Sequence, residues 1–156
     1  MIVFSSILAL YGASPRSGMA QTQIDVHACT QQGNAYNCDR SSLEALLQTA
    51  KTISIQVPLH DTASLKQLQR LATALGKTVQ PESADLTFVL AKPEQDGVYF
   101  GPSDRKLATL LIYYKASPSN PGQLIWAESY SGQPDTPWPT AAHAVIEQFR
   151  KNAKRS

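Results

Sequence analysis

The hydrophobic and polar positions of this chain change period several times, and each change marks an element. In "RSSLEALLQTAK", Leu43, Leu46, Leu47 and Ala50 fall on one face at helical spacing. Ser41 with Glu44 makes a capping box that predicts where this helix begins. "TISIQVP" switches to strict alternation, with Ile53, Ile55 and Val57 on the core side, and Pro58 ends it. Helical spacing returns in "TASLKQLQRLATALG", where Leu65, Leu68, Ala72 and Leu75 form the stripe. Thr62, or Asp61 before it, is placed to cap, and Gly76 stops the helix.

Three strands follow. "ADLTFVLA" alternates with Leu86, Phe88 and Leu90 inward, and "LATLLIYYKA" is apolar on both faces, as a central strand would be. The turn-forming "SPSNPG" then leads by a hairpin into "QLIWAESYSG". A proline-rich entry with Thr136 as cap opens the closing helix, whose stripe is Trp138, Ala142, Val145 and Phe149. Upstream, "QTQIDVHA" alternates around Ile24 and Val26 and predicts a short edge strand.

The order is helix, strand, helix, strand, strand, strand, helix. The strands flanking the second helix should run parallel through a right-handed crossover, and the last three should form an antiparallel meander. This predicts an α/β (α+β) two-layer sandwich with helices on one face of a mixed, mostly antiparallel sheet. Residues 21–156 make one domain of ordinary size.

The amino terminus reads differently. The apolar run from Ile2 to Ala13 is too short for the ~20 residues of a membrane span. It is followed by the helix-breaking "GASPRSG", and Gly18 and Ala20 stand at positions −3 and −1 before Gln21. This pattern predicts a signal peptide over residues 1–20, although no Lys or Arg precedes the run. The expected location is periplasmic or secreted, with no transmembrane span in the mature chain.

Export bears on the two cysteines, both in "HACTQQGNAYNCDR". Outside the cytosol two nearby thiols oxidise, so a Cys29–Cys38 disulfide is expected. The rival readings are weaker. A metal site could draw on His27, Cys29, Cys38 and Asp39, but their spacing matches no closed zinc module. A reactive thiol needs a nearby cation that the stretch does not supply. No metal and no cofactor are called for.

Composition narrows the partners. Hydrophobic residues at 42% and charged residues at 17%, with a net charge of +2, describe a globular chain too weakly basic to argue for nucleic acid. Arg150, Lys151, Lys154 and Arg155 are the one local charge cluster, at a helix carboxyl end where cations meet the negative end of the dipole.

Several pieces resemble a known group. "GKTVQPESADLTFVLA" looks like a strand element of small bacterial envelope proteins. "GQLIWAESYSG", with Gly122, Trp126 and Gly132, is similar to their later strand, and "AAHAVIEQFRKN" resembles their closing helix. The group comprises exported bacterial proteins of unknown function. They share an αβ sandwich with the amino-terminal domain of the Tol-system translocation protein and with the curli-secretion lipoprotein. The resemblance covers about residues 52–152. It implies an assembly or interaction part without catalysis, so no catalytic residues carry over. The chain departs from the group in its cysteine loop, in its amino-terminal helix and in lacking a lipid-anchor cysteine.

Chemistry-bearing residues are few. His60 and Asp61 in "PLHDTAS" follow a strand end and precede a helix, a common address for α/β active sites, with Ser64 one turn on. The plainer reading is a polar loop that caps the helix. Glu128 alternates with Trp126 and Tyr130, so all three should share one face of their strand. "KPEQDGVYFGPSDRK", residues 92–106, is longer than its two strands require. Its consecutive Val98, Tyr99 and Phe100 suggest a partner-contacting tip, with Asp104 and Arg105 as polar rim. The expectation is an exported, non-enzymatic binding or assembly module of the cell envelope, working through protein–protein contacts with another envelope protein or complex. The alternatives are a small periplasmic hydrolase or ligand-binding enzyme using His60 and Ser64, and a purely structural envelope component.

Overall fold

A computed structural model describes residues 25–33, 35–92 and 106–155. The elements are β1 (Thr30–Gln32), β2 (Ala35–Asn37), α1 (Arg40–Thr49), β3 (Thr52–Gln56), α2 (Thr62–Ala74), β4 (Thr78–Val79), β5 (Leu86–Ala91), β6 (Ala108–Tyr114), β7 (Gln123–Tyr130) and α3 (Trp138–Ala153). Five strands form one sheet in the order β4-β3-β5-β6-β7, and β1 and β2 form a separate hairpin. β3 pairs parallel with both β4 and β5, while β5, β6 and β7 form the antiparallel meander. The two-layer αβ sandwich expected from the sequence is the fold observed.

Alternation puts Ile53 of β3, Leu86, Phe88 and Leu90 of β5 and Ala108, Leu110 and Ile112 of β6 on the helix side, where all are buried. Phe88 meets Phe149 of α3 edge to face at 5.6 Å between ring centroids, the geometry that aromatic quadrupoles favour. Leu68, Leu71 and Ala72 of α2 and Leu43, Leu46 and Leu47 of α1 close the same core. Gly122 has φ +76, and a Cβ there would lie 2.5 Å from the Tyr114 carbonyl oxygen, so only glycine allows the β6–β7 turn to close this tightly.

Three local readings are corrected, and the choice between Asp61 and Thr62 is decided. α1 begins one residue before Ser41, because Asp39 takes the cap and accepts from the Ser41 N–H at 3.2 Å. Glu44 therefore pairs with Arg40 at i,i+4 rather than closing a capping box. Asp61, not Thr62, caps α2. Thr136 does not cap α3, since its hydroxyl donates to the Gln133 carbonyl and α3 starts after Pro137 with no side-chain cap bond. The strand expected around Val26 is absent from residues 25–29, and Ile24 lies outside the described residues. This segment instead runs beside β7: the Cys29 N–H donates to the Leu124 carbonyl at 2.8 Å, and the Gln123 amide donates to the Val26 carbonyl.

Candidate functional site

The Cys29–Cys38 disulfide is formed, and the loop it closes folds as the β1–β2 hairpin. Among the described residues there is no group of His, Cys, Asp and Glu able to hold a metal, so His27, Cys29, Cys38 and Asp39 do not assemble as ligands.

Around His60 the chain turns sharply into α2. His60 has left-handed backbone (φ 66), and the Asp61 N–H donates to the Pro58 carbonyl at 3.0 Å. Asp61 is heavily engaged. Its Oδ1 accepts from the Ser64 N–H at 3.1 Å, and its Oδ2 accepts from Trp138 Nε1 at 2.8 Å. Burial is the largest single influence on this carboxyl and pushes its pKa up. The bonds from Ser64, the Trp138 indole and the nearby Lys92 charge together outweigh it, so the pKa lies below the usual carboxylate value. Lys92 Nζ also stands 4.9 Å over the Trp138 ring.

Ser64 lies on the buried side of α2, 3% exposed. His60 is exposed, and no hydrogen bond joins its ring to Asp61 or Ser64 among the described residues. The structure therefore brings Asp61 and Ser64 together as a helix cap and leaves His60 apart. Sequence reasoning missed Trp138 and Lys92 as partners of Asp61. They lie 77 and 31 residues away, and no local pattern links them.

Beside this turn, at the carboxyl ends of the parallel strands β3 and β5, an open crevice of about 290 Å³ is lined by residues 56–59 and 89–92. Leu59 stands at its rim, 83% exposed. A second crevice of about 240 Å³ opens on the helix-free face of the sheet, lined by Ser54, Gln56, residues 81–83, Thr87 and residues 116–118. Its Ser83 has left-handed backbone, and the Ser54 hydroxyl donates to the Pro81 carbonyl across its floor.

Trp126, Glu128 and Tyr130 share the helix-side face of β7, opposite Ile112, Leu110 and Ala108. Glu128 is 6% exposed. Its Oε1 accepts from Trp126 Nε1 at 3.0 Å and from Asn152 Nδ2 at 2.6 Å, while its Oε2 has no hydrogen-bond partner among the described residues. The carboxyl thus ties β7 to the last turn of α3. Tyr99, Phe100, Asp104 and Arg105 lie outside the described residues, as does the signal-like segment 1–20.

No protein-family model and no curated protein matches the chain. Among solved structures it is similar to a minor lipoprotein from Acinetobacter baumannii, at 14% identity and a TM-score of 0.36, over 69% of this chain and 90% of that one. A likeness of that extent leaves function to be argued from this chain's own residues.

Proposed function

We propose that the chain is an exported binding or assembly module of the bacterial cell envelope that acts through protein–protein contacts and not through catalysis. The observation that carries this reading is the state of Asp61. It is the carboxylate adjacent to both His60 and Ser64, and its two oxygens are taken by the start of α2 and by the Trp138 indole. A hydrolase built on His60 and Ser64 needs a hydroxyl open to substrate and a base within hydrogen-bond reach. Ser64 is buried, and His60 is not bonded to it. The disulfide suits an oxidising compartment such as the periplasm or the exterior. The chain is in this respect akin in expectation to the exported group it resembles.

The contact surface we assign lies at the end of the sheet where Leu59 is exposed and where Lys92 leads into residues 93–105. An exposed leucine beside a crevice, together with Tyr99 and Phe100 in the segment that follows Lys92 in sequence, supplies the apolar anchors that protein interfaces use. Asp104 and Arg105 supply the polar rim. The test is crosslinking and capture from a native envelope fraction with the disulfide-intact protein. Tyr99→Ser with Phe100→Ser, and separately Leu59→Ser, should each abolish a specific capture while the melting temperature stays within a few degrees. A large loss of stability on replacing Tyr99 and Phe100 would make them core residues and remove the binding role. Loss of capture on His60→Ala alone would return attention to the turn before α2.

A further inference from the structure

Charge is distributed unevenly between the paired helices α2 and α3 and the remainder of the fold. Among the described residues, α2, α3 and the two residues that follow α3 hold six Lys and Arg and one acid. All the rest hold six Lys and Arg and eight acids. The two helices lie side by side and point the same way: Trp138 at the start of α3 bonds Asp61 at the start of α2, and His143 meets Gln67 at 3.3 Å one turn on. Lys66 and Arg70 lie on the side of α2 opposite Leu68, Leu71 and Ala72. Lys151 lies on the side of α3 opposite Val145 and Phe149. Both sets therefore face away from the sheet, and all three cations are exposed, as is Lys154.

The helix dipole accounts for cations in the last turn of α3. It does not account for Lys66 and Arg70 in the middle of α2, a helix with no acidic residue. Neither makes an ion pair with a described carboxylate, whereas the single acid of α2 and α3, Glu147, is taken up by Arg150 at 2.7 Å.

We infer that this helix layer docks on a membrane surface bearing anionic phospholipid. The favoured occupant follows from what the face lacks. A protein interface is anchored by apolar or aromatic side chains at its centre. The exposed large hydrophobics among the described residues are Leu59 and Val79, on neither helix. Spread, flexible cations without an anchor suit a laterally mobile layer of phosphate charges, which needs no fixed shape to match. The inference uses none of the residues assigned to the protein partner, so it does not depend on that reading.

The experiment is co-sedimentation of the disulfide-intact protein with vesicles of phosphatidylcholine alone and with about one-third phosphatidylglycerol. Binding is expected to the anionic vesicles only, and it should vanish as salt rises from about 50 to about 500 mM. Each Lys or Arg at such a surface strengthens binding roughly fivefold, so Lys66→Gln with Arg70→Gln should weaken it about 25-fold, and Lys151→Gln with Lys154→Gln likewise. All four sites are exposed, and unchanged melting curves will show that the fold is intact. Lys51→Gln with Lys115→Gln, outside α2 and α3, should leave binding unaltered. Equal binding to both vesicles, no binding at low salt, or an equal loss in the Lys51 and Lys115 control would each overturn the inference. Capture by soluble polyglutamate without vesicle binding would overturn it in favour of an acidic protein.

Discussion

Glu128 offers the sharpest test of how β7 and α3 are joined. It is nearly buried, and one of its oxygens accepts from both the Trp126 indole and the Asn152 amide. Glu128→Leu keeps the side chain's approximate bulk but orphans both donors. A buried donor left without its acceptor costs about 1–3 kcal/mol. Trp126 and Asn152 are only part-buried, so water recovers some of this, and the sum should be about 2–4 kcal/mol. In a domain of this size that is a fall in melting temperature of roughly 10 °C. Glu128→Gln behaves differently, since the amide keeps one oxygen for both donors. It exchanges the unpartnered Oε2 for an NH₂ that likewise finds no acceptor. The expected change is within about 1 kcal/mol of wild type. Urea unfolding with unchanged m-values, followed by both tryptophan fluorescence and circular dichroism, measures the three proteins on one scale. Two results would defeat the reasoning. If Gln is as damaging as Leu, the second oxygen has a partner that matters. If Leu is as stable as wild type, the hydrogen bonds do no more than offset the cost of burying the carboxyl and its unpartnered oxygen.

Both cysteines should resist alkylation until a reductant is added, and reduction should cost about 2.5–3 kcal/mol by the chain-entropy argument for so short a loop, read from the urea midpoint. The reduced protein should still fold, because the helix-on-sheet core contains neither cysteine. Acid should destabilise the fold through Asp39, Asp61 and Asp85, whose pKa values all lie below the ordinary carboxylate value. For a depressed pKa the stabilisation is full above the unfolded value near ~4 and disappears as pH falls through the lower folded value. Stability should thus be flat in this respect from neutral pH to about 5 and fall steeply below about 4, and Asp85→Asn should flatten that fall. An undiminished acid transition in Asp85→Asn would mean that its bonds to the Lys51 and Thr52 N–H groups do not carry the effect.

The parts of the fold that were legible are those with enough residues to show a period. β5, β6 and β7 each run six to eight residues, and the helices ten to sixteen, so their buried faces could be read directly. The same alternation placed Trp126, Glu128 and Tyr130 on one face before any bond between them was visible. β4 has only two residues, both exposed, and exists because Thr78 and Gln80 donate backbone bonds to the Lys51 and Ile53 carbonyls. The β1–β2 hairpin is polar and almost wholly exposed, so it too leaves no hydrophobic trace; the disulfide and Gly33 at φ 59 define it. The caps were misplaced or left open for a different reason. Asp39 and Ser41, or Asp61 and Thr62, are equally good capping types, and backbone dihedrals decide between them. What made the His60 site look catalytic was its address between a strand end and a helix start, and the Asp61 at that address is bonded to Ser64 and to Trp138 from the far end of the chain.

The treatment of the sheet's two edges bears on which surfaces remain for partners. An open edge strand invites another chain to pair with it, so native sheets shorten, cover or interrupt their edges. Here β4 is cut to two residues and followed by Pro81, which has no N–H to donate. At the other side, the first part of β7 is occupied by the segment that the disulfide holds, through the Cys29-to-Leu124 bond. The bridge therefore does little for the core and more for the edge: it fixes a polar hairpin beside the longest strand of the sheet. With both edges restricted in this way, strand addition is the poorer route to a partner. That favours contacts made by faces, as proposed above for the surface at Leu59 and for the cations of α2 and α3.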